Sequence, residues 1–425
     1  MSGQMSKELR EKVQTARDAS SVLAYASTQD KNMAILAIAD SLIESKENIL
    51  SANSIDYSNG LKSGLSQAML DRLMLNEERI ESIAQDARSV AALPDPVGEE
   101  FDSRTMENGL QISKRRVPLG VIATIYESRP NVTVDISTLA IKSGNAAVLR
   151  GGKEAINSNV AISNVIKKAI KDSSLPDGCV DLIGSTDRKI VSEMLGFQGG
   201  IDLLIPRGGA DLIRFVAENA AVPVVTGGVG VCHIYVDSEV DIDSAVSILD
   251  NAKVQRPTVC NALDTILIHS KTAPQILDGI QRKWGESGTV EVHADERAYG
   301  MLDENTNLVV KPATSDDWGR EFLSLKVAVK IVDSIDEALV HIGQHGDHSE
   351  AILTHNKENA ERFLNEVDSA AVYVNASTRF TDGAQFGLGA EVAISTNKLH
   401  ARGPMGLEEL TSYKWVILGD WDVRS

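Results

Sequence analysis

The pattern of apolar and polar residues changes character along the chain. Up to residue 92, apolar positions recur at spacings of three and four residues among charged ones. This spacing predicts helices over 7–25, 30–52 and 76–92. Leu93-Pro94-Asp95-Pro96 then ends the last helix, because proline cannot continue a helix.

Two series of alternating strand-like and helix-like segments follow. The first has strands predicted at 120–126, 145–150, 180–183, 201–205 and 222–225, with helices at 132–143, 158–171, 187–194 and 209–219. The second has strands predicted at 263–269, 327–332, 351–354 and 371–374, with helices at 273–284, 335–342 and 356–367. Strands that alternate with helices form parallel sheets with helices on both faces. The sequence therefore predicts an α/β fold with two doubly wound parallel-sheet domains.

Two segments belong to neither series. Residues 104–118 contain Glu107-Asn108-Gly109 between alternating polar arms, which is typical of a hairpin. Residues 413–418 read as a strand with no later partner in the chain. Such a strand needs an edge to pair with, and we expect that edge on another subunit.

Composition excludes some partners. The chain has 425 residues, of which 43% are hydrophobic and 24% charged, as in ordinary globular enzymes. Its net charge of −18 provides no basic field for nucleic acid. No apolar run approaches the roughly 20 residues that span a bilayer, and residues 1–7 lack an apolar signal region. The three cysteines and eight histidines show no metal-ligand spacing, so we expect a reduced, cytoplasmic protein without a catalytic metal.

Cys260 is the best candidate for catalytic chemistry. It lies in the polar turn Arg256-Pro257-Thr258-Val259-Cys260, just ahead of an apolar strand, whereas Cys179 and Cys232 lie inside apolar runs. A cation near a thiol can lower its pKa, and the thiolate is the nucleophilic form. On this segment alone, a loop cysteine without a role is an equal alternative.

A dinucleotide site is harder to locate. No G-x-G-x-x-G motif follows a predicted strand, and Gly227-Gly228-Val229-Gly230 lacks the spacing, which disfavours an ordinary Rossmann dehydrogenase. One strand ends in Arg150-Gly151-Gly152-Lys153-Glu154, whose two cations suit a 2′-phosphate and whose carboxylate suits a ribose hydroxyl. A charged surface turn is the alternative for this motif. Arg207-Gly208-Gly209 precedes a helix, and its N–H groups suit a pyrophosphate.

Longer motifs resemble the aldehyde dehydrogenase superfamily. They lie at 115–121, 126–135, 149–155, 205–210, 226–237, 252–261 and 375–380. Within the superfamily the chain is similar, over about residues 10–420, to the branch that reduces γ-glutamyl phosphate to glutamate-5-semialdehyde. The resemblance implies an aldehyde dehydrogenase-like fold and NADPH/NADP as cofactor. The hairpin and the terminal strand described above predict a homo-oligomer that is at least a dimer. The resemblance also makes glutamate 5-kinase, which produces the substrate, a candidate partner.

The resemblance further implies a domain organisation. It comprises a cofactor-binding domain (1–103 and 119–237), a catalytic domain with Cys260 (238–410) and a small β oligomerisation arm (104–118 and 411–425).

The resemblance assigns catalytic roles. Cys260 would form a thioester, and its backbone N–H and one side-chain amide would stabilise the oxyanion. Asn131 is the first candidate for that amide and Asn261 the alternative. Val225 stands where hydrolytic relatives carry a glutamate base, which favours a thioester that is not hydrolysed. A CoA-acylating or hydrolytic relative, and a non-catalytic protein with this fold, are the other interpretations.

The remaining candidates are binding residues. For the phosphate group they are Arg129 and Arg256, and for the substrate carboxylate Ser377, Thr378 and Arg379. Glu391 is the candidate partner of the substrate ammonium group. Glu321 resembles the superfamily glutamate that holds the nicotinamide ribose.

Overall fold

The computed structural model describes residues 5–227, 230–288, 290–302 and 307–424, so Gly228 and Val229 of the glycine motif lie outside it. The chain divides into two compact units. Unit 1 comprises Met1–Thr226, Gly387–Ala393 and Met405–Ser425, and unit 2 comprises Gly227–Phe386 and Ile394–Pro404. The division falls earlier than the expected boundary after residue 237, because the strand at 233–236 pairs within the sheet of unit 2.

Helices open unit 1. They are α1 (Lys7–Leu23), α2 (Thr28–Glu44), α3 (Lys46–Lys62), α4 (Gln67–Leu73) and α5 (Glu77–Ala92). The side chains of Ser6, Ser27 and Asn76 accept N–H groups at the starts of α1, α2 and α5, which stabilises these helix ends. The single helix predicted over 30–52 is wrong, because α2 ends at Glu44 and α3 begins at Lys46, with Ser45 between them.

A parallel sheet carries the strand ends that matter for the cofactor. After the hairpin β1 (Glu100–Thr105) and β2 (Gln111–Pro118) come β3 (Val121–Tyr126), α6 (Val132–Lys142), β4 (Ala146–Gly151), α7 (Ile156–Lys171), β5 (Val180–Leu182), α8 (Arg188–Leu195), β6 (Leu203–Arg207) and α9 (Ala210–Asn219). The order is β5–β4–β3–β6, and the pairs are parallel, as predicted. The strand predicted at 222–225 is reduced to one bridge between Leu204 and Val224.

Unit 2 holds a larger sheet. Its elements are β7 (His233–Val236), α10 (Ile242–Val254), β8 (Thr265–His269), α11 (Ala273–Ser287), β9 (Glu291–Ala294), α12 (Glu296–Tyr299), β10 (Val309–Pro312), β11 (Lys326–Val332), α13 (Ile335–His345), β12 (Ser349–Leu353), α14 (Lys357–Glu366) and β13 (Ala371–Val374). The parallel order is β10–β9–β11–β8–β7–β12–β13. Apolar clusters line both faces of this sheet, which confirms the doubly wound α/β prediction.

The terminal strand pairs within its own chain. After the short ladder β14 (Ile394–Ser395) and β15 (Gly403–Pro404), β16 (Thr411–Leu418) runs antiparallel to β2 over its whole length. The hairpin prediction is confirmed, whereas the expectation that this strand needs another subunit is wrong. A final strand can pair back to an earlier hairpin, and here it completes the three-stranded arm of unit 1. Within the described ranges, no helix is long and apolar enough to cross a membrane.

Candidate active site

The candidate nucleophile lies in a tight turn between α10 and β8. The Ala262 N–H group donates to the Val259 carbonyl at 3.1 Å, which closes the turn around Cys260. Cys260 is partly exposed, whereas Cys179 and Cys232 are buried. The turn therefore presents one of the three thiols at the surface of unit 2.

Two cations accompany Cys260 in unit 2. Arg256 is exposed, and Arg379 is half-buried with its Nε donating to Gln255 Oε1 at 3.1 Å. Burial and the nearby charge of Arg256 lower the pKa of Arg379, and the Cys260 thiol acts in the opposite direction. Arg379 thus interacts electrostatically with both Arg256 and Cys260, which supports an anion site beside the nucleophile. Arg129, by contrast, belongs to unit 1.

The hydroxyl groups next to Arg379 have structural partners. Ser377 Oγ accepts the Arg379 N–H at 3.3 Å, and Thr378 Oγ1 donates to the Asn261 carbonyl at 2.8 Å. Ser377 and Thr378 are both buried. Of the three predicted carboxylate contacts, Arg379 thus has the most accessible polar side chain.

The two candidate oxyanion donors differ in their existing bonds. Asn261 Nδ2 donates to the carbonyl groups of Thr381 at 2.8 Å and Arg379 at 3.4 Å, so both of its protons have acceptors. Asn131 Nδ2 donates to Asp135 Oδ2 at 2.8 Å, which leaves its second proton for another acceptor. The bonding pattern favours Asn131 over Asn261.

The loop after β3 is tied to the end of β4. Glu154 Oε1 accepts the Ser128 N–H at 2.7 Å and the Ser128 hydroxyl at 3.0 Å. Ser128 has φ 46°, a backbone conformation that non-glycine residues rarely adopt. In this structure Glu154 therefore holds a strained loop, a role that the sequence pattern did not indicate. A Cβ at Gly152 would collide with this carboxylate, which explains the glycine.

The start of α9 also differs from expectation. The Gly209 N–H donates to Glu127 Oε2 at 3.0 Å. A Cβ on Gly208 would lie 2.5 Å from the same oxygen, so glycine is needed for this approach. The expectation of a free N–H group at Gly209 is wrong, because a carboxylate from the chain already occupies it.

The cations at the β4 end are not equivalent. Arg150 is 8% exposed, its Nη2 donates to the Thr186 carbonyl at 3.0 Å, and burial lowers its pKa. Lys153 is exposed. In the part of the chain that the structure describes, the buried Nε atoms of Arg150 and Arg207 have no hydrogen-bond partner. These unsatisfied donors and the exposed lysine fit a phosphate-bearing cofactor.

The two candidate glutamates lie in different units. Glu321 directly precedes Phe322, whose N–H donates to Asp264 Oδ1 at 3.0 Å at the start of β8. Glu391 lines a cavity of about 180 Å³ in unit 1 together with Asp86 and Asp135. Burial raises the pKa of Asp135 to about 7. The cavity is therefore lined by three carboxyl groups, of which that of Asp135 is about half protonated at neutral pH.

One set of site residues escaped the sequence analysis. Cys232 and His348 are buried directly behind the nucleophile turn, with Cys232 Sγ 3.2 Å from the Cys260 carbonyl oxygen. The sequence places Cys232 inside an apolar run, which is typical of a core cysteine, and His348 just before an apolar strand. The Cys232-His233 pair inside a strand-like run was the available signal, but it does not reveal contacts across the fold.

The comparisons with known proteins agree with one another. A model of the aldehyde dehydrogenase family matches residues 2–300. A γ-glutamyl phosphate reductase of Dehalococcoides mccartyi is 54% identical over 418 residues, which is 98% of each chain. One from Escherichia coli is 51% identical over 96% of this chain and 98% of its own. The crystal structure of γ-glutamyl phosphate reductase from Thermotoga maritima has a TM-score of 0.95 at 48% identity, covering 99% of this chain and 100% of its own.

Proposed function

The chain belongs to the γ-glutamyl phosphate reductases of the aldehyde dehydrogenase family, and we propose that it converts L-glutamate 5-phosphate to L-glutamate 5-semialdehyde and phosphate through a thioester on Cys260. This reaction is the second step of proline biosynthesis from glutamate. The observation that carries the proposal is a partly exposed thiol in a closed turn, which interacts electrostatically with Arg379.

In the first step the Cys260 thiolate attacks the γ-carbonyl carbon. The new C–S bond replaces the C–O bond to phosphate, which leaves with the electron pair of that bond. Arg256 is our proposed contact for this anion, and its exposure in unit 2 supports that role. Arg129 is our second proposed contact for the phosphate.

In the second step the thioester carbonyl becomes the aldehyde. The nicotinamide cofactor supplies a hydride for this reduction when it is bound. The carbonyl oxygen gains negative charge in both steps, and donors aimed at such an oxygen typically lower a barrier by a few kcal/mol. We assign this role to the Cys260 N–H and the second amide proton of Asn131, because both amide protons of Asn261 already have acceptors. Collapse of the tetrahedral adduct releases the semialdehyde and restores the thiolate.

The family uses a nicotinamide cofactor, and we propose NADPH for this chain. Lys153 is the exposed cation at the end of β4 and is our principal contact for the 2′-phosphate. Arg150 and Arg207 would supply their unsatisfied Nε donors to other phosphate oxygens. The backbone could approach the cofactor phosphates closely at four glycines, Gly151, Gly152, Gly208 and Gly209. Glu321 would hold the nicotinamide ribose.

The α-carboxylate and the α-ammonium group of the substrate each need a protein side chain of the opposite charge. Arg379 is our proposed contact for the α-carboxylate, and Ser377 and Thr378 hold the short helical turn on which it lies. Glu391 is the proposed partner of the α-ammonium group. The acidic cavity that it shares with Asp86 and Asp135 supports this assignment.

A phosphate titration tests the proposed reaction. In the oxidising direction phosphate must attack the thioester, since Val225 is a buried apolar residue and provides no base for water. General-base help is typically worth about 10²–10⁴-fold, so hydrolysis without it is slow. We expect NADPH formation from glutamate-5-semialdehyde and NADP to depend saturably on phosphate. Steady turnover in phosphate-free buffer, with glutamate as product, would indicate a hydrolytic aldehyde dehydrogenase instead.

We also propose that the enzyme is at least a dimer assembled through the arm. Tyr413, Trp415 and Ile417 alternate along β16 and are 48%, 46% and 53% exposed. Such an apolar strand is normally covered. Deleting β16 would remove a strand that pairs with β2 and so destroy the arm itself. A point substitution on β16 therefore tests the subunit contact more specifically. We expect Trp415→Glu to sediment as a monomer at micromolar concentration, whereas Lys414→Glu on the other strand face stays oligomeric. A monomeric unmodified chain would refute the proposal.

Two further proposals concern the cell. Glutamate 5-kinase is a proposed partner, because an acyl phosphate is short-lived and benefits from direct transfer. Co-sedimentation of the two purified enzymes tests this, and separate migration at tens of micromolar would count against it. A cytoplasmic location is the setting that a reduced Cys260 requires, and cell fractionation checks it.

A further inference from the structure

A row of buried polar side chains lies behind the nucleophile turn in unit 2. Cys232 Sγ is 3.2 Å from the Cys260 carbonyl oxygen and 3.6 Å from His348 Nδ1. The row continues from His348 Nδ1 to Ser349 Oγ at 2.8 Å and on to Thr381 Oγ1 at 2.7 Å. Cys232, Ser349 and Thr381 have no exposed surface, and His348 is 1% exposed. These hydrogen bonds are therefore made away from water, where their loss is costly.

The same row of side chains is also connected to Asn261, the residue that follows the nucleophile. Thr381 accepts a hydrogen bond from Asn261 Nδ2 at its carbonyl, at 2.8 Å, and its Oγ1 lies 2.6 Å from the Tyr373 hydroxyl on β13. Thr378 Oγ1 donates to the Asn261 carbonyl at 2.8 Å. The carbonyl groups of Cys260 and Asn261 are thus both bound by side chains from within the unit.

The protonation states suit this arrangement. Burial raises the pKa of the Cys232 thiol well above its ordinary value, so the thiol keeps the proton that it donates. Burial lowers the pKa of His348, so the imidazole is neutral and does not draw that proton into an ion pair. A neutral thiol and a neutral ring can lie beside Cys260 without competing with its thiolate for nearby cations.

Gly230 limits the alternatives for the Cys260 carbonyl. A Cβ added to Gly230 would lie 2.9 Å from the Cys260 carbonyl oxygen and 3.2 Å from His348 Cδ2. The backbone at Gly230 therefore packs against both groups and leaves little room for water. Cys232 is a buried side-chain donor to this carbonyl.

We propose that Cys232 is a positioning residue for Cys260: its thiol proton holds the Cys260 carbonyl inward, and His348 orients the thiol. Because the peptide unit is planar and trans, fixing this carbonyl also fixes the N–H of Asn261 on the opposite side. The path of the turn, and hence the direction of the Cys260 side chain, follows from that constraint. The inference rests on the proposed role of Cys260 as the nucleophile.

A serine–alanine pair at Cys232 tests the proposal. Serine keeps a hydroxyl donor toward the Cys260 carbonyl, whereas alanine removes the donor. The net contribution of one hydrogen bond corresponds to roughly a two- to tenfold change. We expect kcat of C232A to be lower than that of C232S by roughly this factor, with an unchanged KM for NADPH. A packing role predicts the reverse order, since serine buries an extra polar group where alanine does not.

Alkylation of Cys260 gives a readout that does not need turnover. The rate of reaction with iodoacetamide, followed against pH in the free enzyme, reports the environment of the Cys260 thiol. We expect C232A to shift this pH profile and C232S to restore it toward that of the unmodified chain. If either variant fails to fold, His348→Asn, which keeps a polar atom near the Nδ1 position, is compared with His348→Leu in the same assays.

The outcomes separate the inference from the proposed function. Equal kcat values and equal alkylation profiles for the serine and alanine variants would overturn the positioning role, whatever the reaction. An unmodified chain without phosphate-dependent turnover would overturn the proposed function. An alkylation difference between the two variants in that same chain would still support the positioning of Cys260 by Cys232.

Discussion

The two units use their polar side chains in different ways around the groups proposed to react. In unit 1, charged side chains at the strand ends bond to nearby backbone, as Glu127 does to Gly209 and Arg150 does to Thr186. In unit 2, the neutral thiol of Cys232 contacts the Cys260 carbonyl from inside the unit, and His348 lies against that thiol. The nucleophile turn thus rests on neutral hydrogen bonds, whereas the loops proposed to bind the cofactor carry charged side chains that are bonded to the backbone.

Two buried groups, Asp135 in unit 1 and His341 in unit 2, respond to pH in opposite directions. Burial raises the pKa of Asp135 in unit 1 to about 7, so the folded state loses stability as the pH rises from 3.8 through 7. Burial lowers the pKa of His341 in unit 2 to about 3, so the folded state loses stability as the pH falls below 6.5. Acid therefore acts on the folded state through His341 of unit 2, whereas Asp135 of unit 1 acts as the pH rises.

The largest effect should come from the nucleophile itself. Cys260→Ser should abolish turnover and leave NADPH binding near normal, because Cys260 lies in unit 2 and the proposed 2′-phosphate contacts lie in unit 1. Steady-state rates and NADPH fluorescence titration measure the two properties. Cys179→Ser is the matched control, since that thiol is buried beside the Pro176 carbonyl and should tolerate the change. Activity above roughly a tenth of the original in the Cys260 variant would contradict the thioester mechanism.

Acid should destabilise unit 2 through its buried histidines. His341 is 3% exposed and packs against the rings of His233, His345 and Trp318, with Lys330 Nζ 3.3 Å from its Nδ1. Between pH 7 and pH 5, keeping His341 neutral should cost about 2 kcal/mol of unfolding free energy.

Urea unfolding at the two pH values measures this loss. His341→Asn should show a smaller difference between pH 7 and pH 5 than the unmodified chain, whatever its stability at pH 7. An equal difference in both proteins would mean that His341 does not carry the acid sensitivity.

The cofactor loop should give a smaller and more selective effect. Lys153→Ala should raise the KM for NADPH by roughly tenfold and that for NADH much less, because one charge-assisted contact to the 2′-phosphate is lost. Lys189→Ala is the control, since that exposed lysine pairs with Glu193 at 3.5 Å on α8. Equal losses for NADPH and NADH would move Lys153 out of the 2′-phosphate site.

The sequence predicted correctly those features that rest on a repeated pattern or on neighbouring residues. The strand and helix alternation predicted the sheets of both units, and the polar turn singled out Cys260. The strand at 222–225 was overpredicted, because an apolar run does not reveal that only Val224 finds a neighbouring strand. The in-chain pairing of β16 was missed because its partner lies far back in the sequence.

The limits were similar within the candidate site. The sequence indicated ligand contacts for the Glu154 carboxylate and for the Gly209 N–H group at the start of α9. In the structure, Glu154 accepts the Ser128 N–H, and the Gly209 N–H donates to Glu127. The contact between Cys232 and His348 joins residues 116 positions apart, and a separation of that size leaves no local pattern in the sequence. Sequence spacing indicates which residue types are available, whereas long-range packing decides which atoms already have partners.

The central claim is that a thioester forms on Cys260 and persists until phosphate attacks it. The direct measurement mixes enzyme with NADP and glutamate-5-semialdehyde in phosphate-free buffer and follows NADPH at 340 nm, a wavelength at which only the reduced cofactor absorbs. The account predicts a rapid burst of about one NADPH per Cys260, a γ-glutamyl adduct on the Cys260 peptide by mass spectrometry, and steady turnover only after phosphate is added. Continuous turnover before phosphate, or a burst of the same size in Cys260→Ser, would contradict it.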